Sequence, residues 1–310
     1  MLQILSITAP IFILIGLGFS AVMSKLVTRE QIRGMGSFVI TLALPALIIK
    51  GMADSPIDDI VNPGFLLAYS AGSLASFSLG FFILRKQRKQ SLGNSAIASL
   101  GMSASNTGFI GYPIAAMVVG PSAALGVAMA VMVETVIMIP LAQTLADAAH
   151  SQTSAKLKTL LQTAKRLARS PLIIAIAIGL TLSLLELQLP AVAMKVIDML
   201  AVASAPVALF VIGGTLYGLK ARGLMADVAL IAAGKLMMHP TAIALAFLLA
   251  PSLDPNLKTA GILFASAPML SIYPILGQRY GQEERCAAAL LVSTVFSFIT
   301  ISLVIGLVTR

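Results

Sequence analysis

The chain has no tryptophan, one cysteine and two histidines among 310 residues, and only 11% of it is charged. Each scarcity removes a class of protein. The lone Cys286 cannot close an internal disulfide, and with two histidines it cannot supply a structural zinc site, so no metal and no cofactor is expected. Soluble domains carry about 25% charged residues; this chain has too few to clothe a surface exposed to water. Without tryptophan the usual interfacial belt is missing, which leaves Tyr69, Tyr217 and Tyr280 as candidate membrane anchors. Basic residues outnumber acidic ones, 21 to 12, but they lie in short stretches between apolar runs. No amphipathic basic face forms, and no nucleic-acid partner is implied.

What is present in quantity is hydrophobic, at 58% of the chain. Runs of roughly 20 apolar residues, the length that spans a bilayer, recur near 4–24, 35–53, 64–84, 94–118, 122–146, 171–187, 193–219, 225–250, 257–277 and 285–308. No polar block separates them, so the chain reads as one all-α membrane domain of ten transmembrane helices over 1–310. The first run has no basic residue before it and exceeds a signal-peptide core, so a retained span is expected. The 15 methionines are scattered through the runs and read as packing filler.

The connections alternate in charge. Lys25, Arg29 and Arg33 follow the first run; Arg85, Lys86, Arg88 and Lys89 follow the third; Lys156, Lys158, Lys165, Arg166 and Arg169 follow the fifth; Lys220 and Arg222 follow the seventh; Arg279 and Arg285 follow the ninth. The intervening connections and their edges hold only Lys50, Lys195 and Lys258. The positive-inside rule then places the odd connections in the cytoplasm and both termini outside, in a multi-pass protein of the cytoplasmic membrane. The connection at 148–169, with His150 and five basic residues, reads as a cytoplasmic linker between two halves, 1–147 and 170–310.

Those halves repeat. When Pro10 is laid on Pro171, Pro45 falls on Pro206, Pro113 on Pro274 and Gly18 on Gly179. Ala104-Ser105, followed after a gap by Tyr112-Pro113-Ile114, meets Ala265-Ser266 and Tyr273-Pro274-Ile275 at the same spacing. A duplicated unit with an odd number of crossings enters the membrane from opposite sides. The expectation is two inverted five-helix repeats, with helices 4 and 9 broken. Proline removes a backbone donor and clashes with the preceding turn, and hydrocarbon cannot satisfy the freed groups, so the two breaks should meet around a polar cavity. Half-helix ends there offer N–H groups to an anion. Candidate substrate-binding residues are Ser105, Asn106, Thr107, Gly108, Pro113, Ser266, Tyr273 and Pro274. Simple proline kinks are the plainer alternative; Pro45 and Pro206 read as paired kinks that shape the same centre.

Asn106-Thr107 followed by Gly111-Tyr112-Pro113 resembles the crossover motif of the auxin efflux carrier family, and Leu42-Ala43-Leu44-Pro45-Ala46 and Lys235-Leu236 with Pro240 are similar to its bacterial members. The resemblance covers essentially the whole chain. It implies a secondary carrier of small organic anions in which the broken helices 4 and 9 are crossed, with a scaffold and a mobile part working as an elevator. It also places the crossover asparagine, here Asn106, at the substrate; malonate and other dicarboxylates are the substrates associated with bacterial members. Ala267-Pro268 stand where the second crossover would carry its polar pair, so the chain departs from the family pattern there and has no asparagine at that position.

Glu134 lies near the middle of the fifth run, and Lys235 and His239 lie within the eighth. Ionisable groups cost roughly 2.5–3.5 kcal/mol each at the bilayer centre and are usually functional or paired. Three readings stay open: Glu134 as a proton carrier, Lys235 as counter-charge to a carboxylate, or the two as a structural pair. His239 reads as a helix-packing residue and Cys286 as inert. The expected function is a secondary active transporter of a mono- or dicarboxylate, proton-linked. A sodium-coupled symporter of organic anions, similar to the bile acid sodium symporter relatives, is the alternative. Its partners would be the small organic anion, protons or sodium, and the lipid bilayer; a homodimer is one assembly this reading allows. An intramembrane enzyme is disfavoured, since neither Gly-x-Gly-Asp nor His-Glu-x-x-His is present.

Overall fold

A computed structural model describes residues 2–53, 62–148, 168–185, 187–218, 225–250 and 252–308. Almost all of the expected linker at 148–169, His150 included, lies outside the described residues. In chain order the helices are α1 (Leu2–Met23), α2 (Arg29–Ala53), α3 (Pro63–Gln87), α4 (Leu92–Ser103), α5 (Tyr112–Val119), α6 (Ser122–Ala148), α7 (Pro171–Leu184), α8 (Ala191–Leu216), α9 (Ala226–Leu248), α10 (Pro255–Ser266), α11 (Tyr273–Gln278) and α12 (Glu283–Val308). No strand occurs among the described residues. Among the described residues, six helices, α2, α3, α6, α8, α9 and α12, are long and apolar enough to cross a bilayer unaided. The fourth apolar run of the sequence is divided between α4 and α5, and the ninth between α10 and α11.

The helix starts follow from local chemistry. Thr28 and Gln31 form a reciprocal capping box ahead of α2. Asn62 accepts from the Phe65 N–H with Pro63 in the first turn, and Asp254 accepts from the Leu257 N–H with Pro255 in the first turn. The outer face is apolar: Leu67, Leu248, Leu303 and Leu307 are all more than 60% exposed. Side chains of that kind in such number belong against lipid.

Packing sorts the helices into two groups. α1 lies against α8, and α2 against both α7 and α8. The approach of α1 to α8 is so close that a Cβ on Gly18 would stand 2.0 Å from the Phe210 carbonyl oxygen, and one on Gly213 would stand 1.8 Å from that of Ile15. Only glycine fits there. The second group joins α3, α4, α6, α9 and α10, with α12 along α9 and α11. Between the groups, α2 touches α6, and α8 touches the segment that leads into α5.

Among the described residues, five helical stretches widen into π turns: Val39–Ala43, Ile83–Gln87, Thr107–Gly111, Val133–Met138 and Gly234–Met238. Four of them end two residues before a proline, namely Pro45, Pro113, Pro140 and Pro240. Proline has no N–H for the carbonyl four residues earlier, and its ring crowds that carbonyl; an extra residue in the turn relieves both. Pro45 and Pro113 thus widen their helices as well as bend them.

Candidate functional site

α4 stops at Ser103, and Ala104, Ser105 and Asn106 leave the helical path before the π turn Thr107–Gly111 leads into α5. In the other half, α10 stops at Ser266 and the helix resumes only at Tyr273. The two interruptions touch. The Asn106 N–H donates to the Pro268 carbonyl at 2.7 Å, and Asn106 Nδ2 donates to Ser271 Oγ at 2.6 Å. The Asn106 carbonyl accepts from the N–H groups of both Ile110 and Gly111 at 3.0 Å. Pro268, one of the residues that departs from the motif, therefore contributes its main-chain oxygen, which any residue type supplies.

Two π turns aim ionisable side chains at the first interruption. Glu134, in the π turn of α6, takes the Ser105 N–H at 3.0 Å and the Thr107 hydroxyl at 2.6 Å on one carboxylate oxygen. Lys235, in the π turn of α9, donates to Ser105 Oγ at 2.8 Å and to the Ala265 carbonyl at 2.6 Å, and lies 2.8 Å from His239 Nδ1. A charged ammonium has three donors, and these three partners use all of them. With Nδ1 accepting, the ring proton of His239 sits on Nε2, which faces Ser73 Oγ at 3.1 Å. Glu134 and Lys235 thus communicate through Ser105, whose N–H serves one and whose hydroxyl serves the other. All of these side chains are buried. Their hydrogen bonds, worth about 1.5–3 kcal/mol each where one partner is charged, offset the cost of holding ions inside the bilayer.

The sequence-predicted residues divide. Ser105, Asn106, Thr107, Glu134 and Lys235 come together. Gly108 lies beside them against Leu44 of α2, where a Cβ would stand 2.9 Å from Leu44 Cδ1. Pro113 faces a separate apolar cavity of about 290 Å³, closed by Pro10 and Ile11 of α1 and Ala205 and Leu209 of α8. Ser266 turns its hydroxyl back to the Ile262 carbonyl at 2.7 Å. Tyr273 is buried against Gly101 and the Cys286 thiol, away from Asn106, and Pro274 stands in the first turn of α11. These last three are not brought into the cluster.

Four participants escape sequence reasoning. His239 joins the ionic cluster as well as packing α9. Ser73 and Ser271 complete it. Tyr69 is fully buried and stacked on Phe65 at 5.5 Å between ring centroids, so it is no interfacial anchor. Its hydroxyl faces Ser105, Thr107 and Glu134 without closing a well-formed hydrogen bond. The available signal was spacing: Phe65, Tyr69, Ser73 and Ser76 recur at helical intervals on one face of α3.

Two interrupted helices bonded to each other through main-chain atoms, with acid and base buried beside them, define a class of membrane carrier, and comparison with known proteins agrees. The chain belongs to the family described as Membrane transport protein, which matches residues 4–305 and corresponds to the auxin efflux carriers that the motif resembles. It is 29% identical to a protein of Rhizobium meliloti (strain 1021) named "Putative malonate transporter", over 97% of this chain and 95% of that one. It is 23% identical to "Uncharacterized transporter YfdV" of Escherichia coli (strain K12), over 94% of this chain and 92% of that one.

Proposed function

We propose that the chain is a secondary active transporter that carries a small carboxylate, malonate or another mono- or dicarboxylate, across the cytoplasmic membrane by elevator-type alternating access linked to protons. The observation that carries this reading is the Asn106 to Pro268 contact at 2.7 Å between two interrupted helices. An interruption leaves N–H groups and half-helix ends unsatisfied by the helix itself, and an anion is the natural ligand for them. The ten apolar runs and the alternating loop charges support ten spans in two inverted halves with both ends outside. The sorting of α1, α2, α7 and α8 against the remaining helices supports a fixed group and a moving group. Malonate enters from the name of the Rhizobium relative.

In this reading Asn106 and the main chain around it hold the carboxylate, with Ser105, Thr107 and Gly108 shaping the pocket. Lys235 ties both interruptions together through Ser105 and the Ala265 carbonyl, so it positions the site and supplies positive charge. Glu134 carries the proton. A proton on Glu134 weakens its hold on the Ser105 N–H and the Thr107 hydroxyl, freeing both donors for the substrate, which couples the two occupancies.

The test is uptake of labelled malonate into proteoliposomes under an imposed proton gradient, with and without a protonophore and at fixed sodium. Uptake that collapses with the protonophore, and a Glu134→Gln variant that exchanges malonate but no longer responds to the gradient, are the expected results. Uptake driven by sodium and indifferent to the protonophore would replace the proton assignment. No carboxylate transported from a panel of mono- and dicarboxylates would remove the substrate class.

A further inference from the structure

At the far end of α3 the helix does two things that its apolar body does not require. It widens into the π turn Ile83–Gln87, which has no proline behind it, and it closes with Lys89 at φ 51°. The closing bond runs from the Gln90 N–H to the Leu84 carbonyl at 3.0 Å. This left-handed closing position normally takes glycine, because a Cβ is disfavoured there. Lys25 adopts the same left-handed conformation after α1, at φ 61°, so what distinguishes Lys89 is the groove it faces.

Beside this turn lies an open groove of about 710 Å³. Its wall is apolar, made by Phe77, Phe81 and Phe82 of α3 and Leu141 and Leu145 of α6; its mouth is basic, made by Arg85, Lys86 and Lys89. Lys86 Nζ stands 5.1 Å from the centre of the Phe82 ring, so the cationic and apolar parts are continuous. Arg85 also donates to the Gln90 carbonyl at 2.5 Å. Neighbouring basic residues are already neutralised: Arg88 pairs with Asp227 at 2.9 Å, and Arg285 approaches the same carboxylate at 4.0 Å. Among the described residues, no carboxylate pairs with Arg85, Lys86 or Lys89, and none lines the groove.

We propose that this groove is a binding site for an anionic phospholipid of the adjacent leaflet. The headgroup phosphate lies on Arg85, Lys86 and Lys89, and an acyl chain runs along Phe77, Phe81 and Leu141. A soluble anion would use the mouth and leave the aromatic wall without purpose; a zwitterionic lipid would use the wall and leave three cations uncompensated. An anionic amphiphile matches both, and basic clusters at the membrane surface bind such lipids by the same attraction. The site stands apart from the transport reading and would remain if that reading fell.

The experiment is thermal unfolding and native mass spectrometry of the detergent-purified chain, titrated with phosphatidylglycerol, phosphatidylcholine or inorganic phosphate. Phosphatidylglycerol should raise the unfolding temperature and be retained in the gas phase, while the other two should not. Each basic residue removed should weaken retention about fivefold, so the combined Arg85→Gln, Lys86→Gln, Lys89→Gln variant should lose the shift. A Lys25→Gln, Arg33→Gln control, on exposed residues elsewhere, should keep it. Lys89→Gly relaxes the turn, so it should unfold no earlier than the parent without lipid and still bind phosphatidylglycerol less tightly. Equal shifts with phosphatidylcholine, a shift reproduced by phosphate alone, a shift retained by the triple variant, or one lost equally in the control would each overturn the proposal. Indifference to every lipid would also overturn it and leave the groove to be filled by protein.

Discussion

Asn106 contributes three groups within one residue: its N–H and side-chain amide reach across to the second interruption, and its carbonyl gathers two N–H groups from the turn that follows. Asn106→Ala keeps the main-chain bonds and removes only the amide. Substrate affinity should fall roughly tenfold, the worth of one hydrogen bond to a charged group, with insertion and expression unchanged; transport kinetics in proteoliposomes check it. Lys235 is different in kind. Lys235→Ala takes a donor from the Ser105 hydroxyl, His239 Nδ1 and the Ala265 carbonyl; the first two lie 3.4 Å apart and can still pair, but the buried carbonyl is left unsatisfied, at about 1–3 kcal/mol. The variant should unfold at clearly lower temperature in detergent, and its transport loss should follow folded protein. An unaltered unfolding temperature would show that these three groups are not held by Lys235.

At the scale of the element, the prolines act through the turns that precede them. Pro113→Ala restores an N–H and removes the ring, so the π turn Thr107–Gly111 can tighten to an ordinary helical turn. Losing one residue from the turn rotates what precedes it by about 100°, one helical step, which carries Asn106 away from Pro268. Pro274 opens α11 directly, with no π turn before it, and Pro274→Ala has no such lever. Turnover should therefore drop much further for Pro113→Ala than for Pro274→Ala, as measured by initial uptake rates at equal folded protein. The paired prolines were legible in the sequence because a repeat exposes them. The inequality between them was not, since it depends on where each helix stops: α4 ends at Ser103, well before its proline, whereas the gap after α10 runs up to Tyr273. The spacing of Tyr69 and Ser73 marks one face of α3, but what that face meets was hidden for a related reason. Nothing in an apolar run says which neighbour a hydroxyl will meet until the helices are packed.

At the scale of the whole molecule, the proposed movement would take place at the boundary between the two helix groups. Gly51 of α2 sits on that boundary, where a Cβ would stand 2.6 Å from Ala124 Cβ of α6. Gly51→Val should cost about 1–3 kcal/mol as overpacking and, if the groups slide past each other, should lower maximal transport rate more than substrate affinity. Gly16→Val is the matching control, since a Cβ at Gly16 meets nothing within 4 Å. Equal rates for both variants would argue against movement at this surface. Apolar runs and loop charges gave the bundle its outline before any coordinates. The grouping of helices was hidden, because close approaches such as Gly18 to Phe210 pair residues far apart in the chain.

The single thiol of the chain, on Cys286, is fully enclosed, with its sulfur 2.5 Å from where a Cβ on Gly277 would be. Maleimide reagents added on either side of the bilayer should find no native target, so the natural chain is already a silent background for chemical labelling. Reporter cysteines introduced one at a time, at Lys25 and at Asn62 for instance, would then announce which compartment each connection faces, and could follow the crossing of a bound solute in real time without any prior removal of native residues.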